Sequence, residues 1–142
     1  MPDIGRCAQR SGIAKGDESM ILKTYTRVFA NNMDAALPLY RQLVSHEPDF
    51  RVTYGKLEVA AIGNFLIIAG PDEALTPVRS SHGTIVVDDL EGTQQFLEGA
   101  GATITQPFTE GPTGASVHAR HPDGNTFEYV QWTPEYVERV IT

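Results

Sequence analysis

Hydrophobic positions along the chain follow two spacings in alternation. "ILKTYTRVFA" (21–30) is rich in β-branched and aromatic residues and predicts a strand. "NNMDAALPLYRQLV" (31–44) places Met33, Ala36, Leu37, Tyr40, Leu43 and Val44 at helical spacing. Asn31 or Asn32 can cap that helix, and Pro38 must bend it or fall in its first turns. Three strands should follow, at 50–55, 57–63 and 65–70, and the one or two residues between them make them hairpin neighbours. "PDEALTPVRSS" (71–81) reads as a linker by its Pro and Ser content.

The same order then returns. "HGTIVV" (82–87) predicts a strand and "DDLEGTQQFLEGAGA" (88–102) a capped helix ending in glycine. Strands are expected at 103–108, 115–120 and 125–132, with 109–114 as a loop able to cover a cleft, and the tail 133–142 as a last helical turn or two. The halves align residue by residue. Asn32-Met33-Asp34 matches Asp89-Leu90-Glu91 at an offset of 57, and Gly63-Asn64 matches Gly124-Asn125 at an offset of 61. The fold class is therefore α+β: two βαβββ modules, about 21–70 and 82–133, paired into a curved sheet that encloses a cleft, with the helices on the outer face. Residues 20–142 are read as a single domain and 1–19 as a flexible leader without a patterned apolar face.

Composition narrows the partners. The 142 residues carry a net charge of −7 with scattered basic residues, so the basic footprint of a nucleic-acid binder is missing. No run approaches the ~20 apolar residues that span a bilayer. The single cysteine, Cys7, fits a reducing compartment, and a cytoplasmic protein is expected.

"HPDGNTFEYVQW" (121–132) carries one carboxylate, Glu128, inside an uncharged strand. With the repeat, this segment resembles the close of the vicinal oxygen chelate superfamily, the group of glyoxalases, bleomycin-resistance proteins and extradiol dioxygenases. Pro122-Asp123-Gly124-Asn125 and Glu128 stand in the family's places, whereas His121 replaces an Asp; "HGTIVVDDLEGTQQFLEGAGA" resembles the family's fifth strand and second helix. The resemblance implies ligand positions on the first and last strand of each half. The second half supplies His82 and Glu128, and the offsets of 57 and 61 carry these to Tyr25 and Ile67. Ile67 cannot bind a metal, and one His with one Glu falls short of the two His and one carboxylate of the dioxygenases.

The expected protein therefore binds a small organic molecule as a homodimer, in the manner of bleomycin-resistance sequestration, with no cofactor favoured. Alternation puts Tyr25, Arg27 and Phe29 on the cleft face, and Ile67, His82, Thr84, Glu128 and Trp132 complete the expected ligand-binding set. Arg27 or His82 should partner Glu128, while Phe127 and Tyr129 should face the helices. His118 is assigned to the surface and His46 and His121 to solvent; Trp132, Phe29 and Phe108 can stack on a planar ligand or serve core or dimer packing. Two alternatives stay open. One is a metal-dependent glyoxalase-like isomerase, lyase or dioxygenase, with a divalent metal on His82 and Glu128. The other is metal-free acid–base catalysis by His82, Glu128 and Tyr25.

Overall fold

The computed structural model describes residues 20–141; expectations about the 1–19 segment and Cys7 lie outside them. The order is β1 (Ile21–Ala30), α1 (Met33–Val44), β2 (Phe50–Tyr54), β3 (Leu57–Ile62), β4 (Phe65–Ala69), α2 (Asp72–Leu75), β5 (Gly83–Val87), α3 (Leu90–Gly99), β6 (Thr103–Gly111), β7 (Gly114–Arg120), β8 (Thr126–Trp132) and α4 (Pro134–Val140). All eight strands form one sheet in the order β2-β3-β4-β1-β5-β8-β7-β6. The two modules lie side by side and join at the antiparallel β1–β5 pair, whose register sets Tyr25 against Thr84.

Matching caps start the two long helices. The Asn32 side chain accepts from Ala35 N at 2.9 Å, and the Asp89 side chain accepts from Gly92 N at 3.1 Å, satisfying amides that the first helical turn leaves unpaired. Asn31 instead donates to Gly70 O and Asp72 Oδ1. Each helix buries one stripe on the convex side of its own module. Met33 and Leu37 of α1 pack against Ile62, Ile67 and Ala69. Leu90 and Leu97 of α3 pack against Ile85, Val117 and Tyr129. A third cluster, including Tyr25, Phe50, Leu66, Ile68 and Trp132, lies on the concave side. Strand alternation thus separates helix-facing from cleft-facing residues along each strand.

Two segments differ from the sequence-based expectation. Residues 109–114 are not a loop: β6 and β7 run on until Gly111 pairs with Gly114, leaving a two-residue turn. At that turn the Thr113 hydroxyl lies 3.1 Å from the Tyr54 hydroxyl at the end of β2, so opposite ends of the curled sheet meet. A Cβ on Gly111 would come within 2.7 Å of the Tyr54 ring, so any larger residue there would displace that ring. The 71–81 segment is also more than a linker. It contains α2, and Leu75 plugs the concave cluster with no exposed surface.

The helix stripe yields a paired expectation. Leu37→Ala, at a fully buried position, should cost about 2–5 kcal/mol. Leu39→Ala, on the same helix but 57% exposed, should change stability by less than about 0.5 kcal/mol. Urea unfolding of the two variants checks the contrast; equal losses would contradict the packing of α1.

Candidate functional site

The curled sheet encloses a cavity of about 350 Å³, at the lower end of the range for small-molecule sites. Its walls differ in character. Strands β2–β4 contribute mainly apolar side chains: Phe50, Val52 and Tyr54 from β2, Leu57 and Val59 from β3, Leu66 and Ile68 from β4. The polar side chains come from β1 (Tyr25, Arg27) and from the second module: Thr84 from β5, Thr105 and Gln106 from β6, His118 from β7, Thr126 and Glu128 from β8, where Val130 and Trp132 add apolar surface. The polar groups are ordered by register. Tyr25, Thr84, Glu128, His118 and Gln106 are successive partners across β1, β5, β8, β7 and β6. They form one rung across adjacent strands, and all five line the cavity.

Arg27 holds the centre of this wall, next to the rung. Its Nη2 donates to Glu128 Oε1 at 2.8 Å, its Nε to Thr84 Oγ1 at 3.1 Å, and its Nη1 to the Val78 carbonyl at 2.8 Å. Thr84 in turn donates to the same Glu128 oxygen at 3.0 Å. The Arg27 side chain is only 3% exposed, whereas Glu128 retains 22%. Burying a guanidinium this deeply requires a counter-charge and acceptors for its donors, and Glu128, Thr84 and the Val78 carbonyl supply them. The bond to Val78 also fastens the 71–81 segment over the cavity, where Pro77, Val78, Ser80 and Ser81 form part of the lining.

Two polar atoms in the lining have no hydrogen-bond partner among the described residues: the Tyr25 hydroxyl and His118 Nδ1, both buried. Burial, with Asp49 nearby, pushes the Tyr25 phenol well above the usual range, so it remains a donor. Desolvation lowers the His118 imidazole below its ordinary value, opposed by Glu128 and reinforced by Arg27. His118 is therefore uncharged at neutral pH.

Of the residues expected at the cleft, Tyr25, Arg27, Thr84, Glu128 and Trp132 line the cavity. Trp132 is buried, its ring centroid 6.0 Å from that of Tyr25 and 5.5 Å from that of Phe50. Phe127 and Tyr129 face the helices, with Tyr129 bonded to His121 Nε2 at 2.6 Å. Three placements are corrected. Ile67 lies on the convex side against α1, because β8 carries one more residue after the shared turn than β4 does. Arg27 pairs with Leu66 and Thr84 with Glu128, so the true offset is 128 − 66 = 62, and a one-residue slip exchanges the faces. Leu66 is thus the counterpart of Glu128. His82 stands just before β5, exposed, its ring bonded to the Thr126 backbone and 5.8 Å from that of Phe127; it does not join Glu128. Phe29 lies outside the lining beneath the Arg79 guanidinium, 5.2 Å from it.

His118, expected on the surface, is in the cavity directly across from Glu128. Alternation alone offers either face. The usable signal was the register, which needs the β7–β8 turn length. Phe108 is 60% exposed on β6.

With the offset corrected, the positions at which metal-dependent family members carry ligands read Tyr25, Leu66, His82 and Glu128. Leu66 has no donor atom, Tyr25 keeps its proton, His82 is turned away, and Glu128 is engaged by Arg27. Among the described residues no three His, Cys, Asp or Glu side chains converge. This donor set does not fit a resident divalent metal.

Comparison with known proteins agrees with the geometry. No curated protein matches the sequence significantly. Among solved structures, an uncharacterized protein from Methanosarcina mazei is 34% identical over 81% of this chain and 95% of its own, with a TM-score of 0.77. Methylmalonyl-CoA epimerase from Mycobacterium tuberculosis shares the fold at 14% identity, covering 84% of this chain and 94% of its own, with a TM-score of 0.64. The sequence profile of the Glyoxalase/Bleomycin resistance protein/Dioxygenase superfamily matches residues 21–129. With two βαβββ modules curled around one cavity, this chain belongs to that superfamily.

Proposed function

We propose that this protein binds a small organic molecule in its concave cavity without a metal, in the manner of bleomycin-resistance-type sequestration. The carrying observation is the Arg27–Glu128 bond at 2.8 Å. The carboxylate that would be the strongest metal ligand of the site is already neutralised by a buried guanidinium. The apolar wall of the first module supplies the burial that a small-molecule site needs, and the rung supplies orientation.

Acid–base catalysis has less support. Of the three residues expected to carry it, His82 lies outside the cavity lining, while Glu128 and Tyr25 line it together with His118. A homodimer belongs to the same proposal; light scattering at micromolar concentration should report twice the chain mass. A cytoplasmic location is also proposed, and no described helix is long and apolar enough to cross a membrane.

Metal independence has a direct measurement. Protein purified without chelator should carry far less than one transition metal per chain by elemental analysis. Its melting temperature should not fall in excess EDTA. One tightly held metal per chain, lost in Glu128→Gln, would overturn the reading.

The ion pair predicts a thermodynamic cycle. Arg27→Met strands a carboxylate that is mostly buried. The expected loss is on the order of 2–3 kcal/mol, below that of a fully buried pair because Glu128 stays partly wet. Adding Glu128→Gln should recover part of it, since no unpaired charge remains. Additive losses in chemical denaturation would show that the two side chains do not couple.

A further inference from the structure

The two-faced cavity also restricts what can enter it. We propose that it selects uncharged, planar, amphipathic molecules carrying a hydrogen-bond donor and acceptor on one edge, such as aromatic carboxamides or lactams, and discriminates against organic anions and cations. This rests on the metal-free binding reading and names the ligand class of the same site.

Charge comes first. Arg27 and Glu128 are opposite charges bonded to each other, and the guanidinium is fastened besides to Val78 and Thr84. Both side chains border the cavity, but the carboxylate is the more exposed, so an anion meets a like charge and a guanidinium already paired with it. A cation finds that carboxylate already matched by Arg27. Either ion would lose its hydration without a counter-charge, which costs far more than desolvating a neutral group.

Shape and hydrogen bonding supply the positive side. Phe50, Val52, Leu66 and Ile68 offer a surface with no polar side-chain atom, against which the apolar face of a flat molecule can lie. The opposite rung offers unmet capacity. The protonated Tyr25 hydroxyl, 4% exposed as a residue, has a hydrogen to give, and His118 Nδ1 lacks a partner. Glu128 receives its bonds on Oε1, and Oε2 receives none among the described residues. A ligand edge with one acceptor and one donor answers these groups, and leaving buried polar atoms unmatched is unfavourable.

The test uses three probes of one shape: naphthalene-2-carboxamide, 2-naphthoate and 2-(aminomethyl)naphthalene, titrated into the full-length protein by calorimetry in EDTA. The carboxamide should bind most tightly, with both ions weaker by about tenfold or more. Glu128→Gln frees the Arg27 charge, so 2-naphthoate should gain about tenfold while the amine does not. His118→Leu, which keeps the ion pair, should weaken the carboxamide and leave the two ions as they were. Equal affinities, tighter binding of either ion, or no binding of any probe overturns the selectivity and leaves the metal-free reading to its own elemental test. Binding that appears only when EDTA is replaced by excess zinc overturns the metal-free reading itself.

Discussion

The buried guanidinium of Arg27 is the constraint around which the two modules are arranged. It stands on the first strand of one module and bonds to side chains on two strands of the other, Thr84 and Glu128, and to the backbone of the segment between them at Val78. A charge this deeply buried is tolerated only while its donors are satisfied. The bond therefore ties the seam between the modules, the wall of the cavity and the course of the connecting segment to one another. Shifting β8 by one residue would turn Glu128 toward α3 and leave the guanidinium unmatched, so the same contact that lines the site also penalises the wrong register.

The repeat has diverged in opposite directions on its two inner faces. Leu66 and Glu128 are structural counterparts, one apolar and one charged, and the difference extends to their neighbours. The first module's concave strands present Phe50, Val52, Val59 and Ile68, while the second module's present Gln106, His118 and Thr126. On the convex side the modules stayed alike, with Ile67 and Tyr129 buried beneath their helices. Packing demands the same thing of both halves where helix meets sheet. The concave face is free of that demand and can specialise. An amphipathic cavity is the outcome.

Much of the fold was legible along the chain. Periodicity located the strands and both long helices, and the capping residues of α1 and α3 mark equivalent points of the repeat. Alternation put Tyr25, Arg27, Thr84 and Glu128 on one face, where they meet. The misreadings share one cause. Ile67 was assigned by carrying the offset of the turn into strands that pair one residue out of that register. His118 depended on the β7–β8 register, His82 on where β5 begins, and residues 109–114 on the β6–β7 pairing that continues to Gly111 and Gly114. Leu75, the one large apolar residue between Pro71 and Pro77, was a local sign that the connecting segment packs.

What the sequence determined by itself was periodic and local: which residues alternate, where helices are capped, and that one plan occurs twice. These follow from backbone geometry and side-chain chemistry within a few residues. The tertiary structure alone decided which strand neighbours which and in what register. A strand's two faces are equivalent until another strand fixes them, and a single-residue shift exchanges them. For that reason the guanidinium beside Glu128, the imidazole of His118 across from it and the two-faced cavity emerge only once the sheet is assembled.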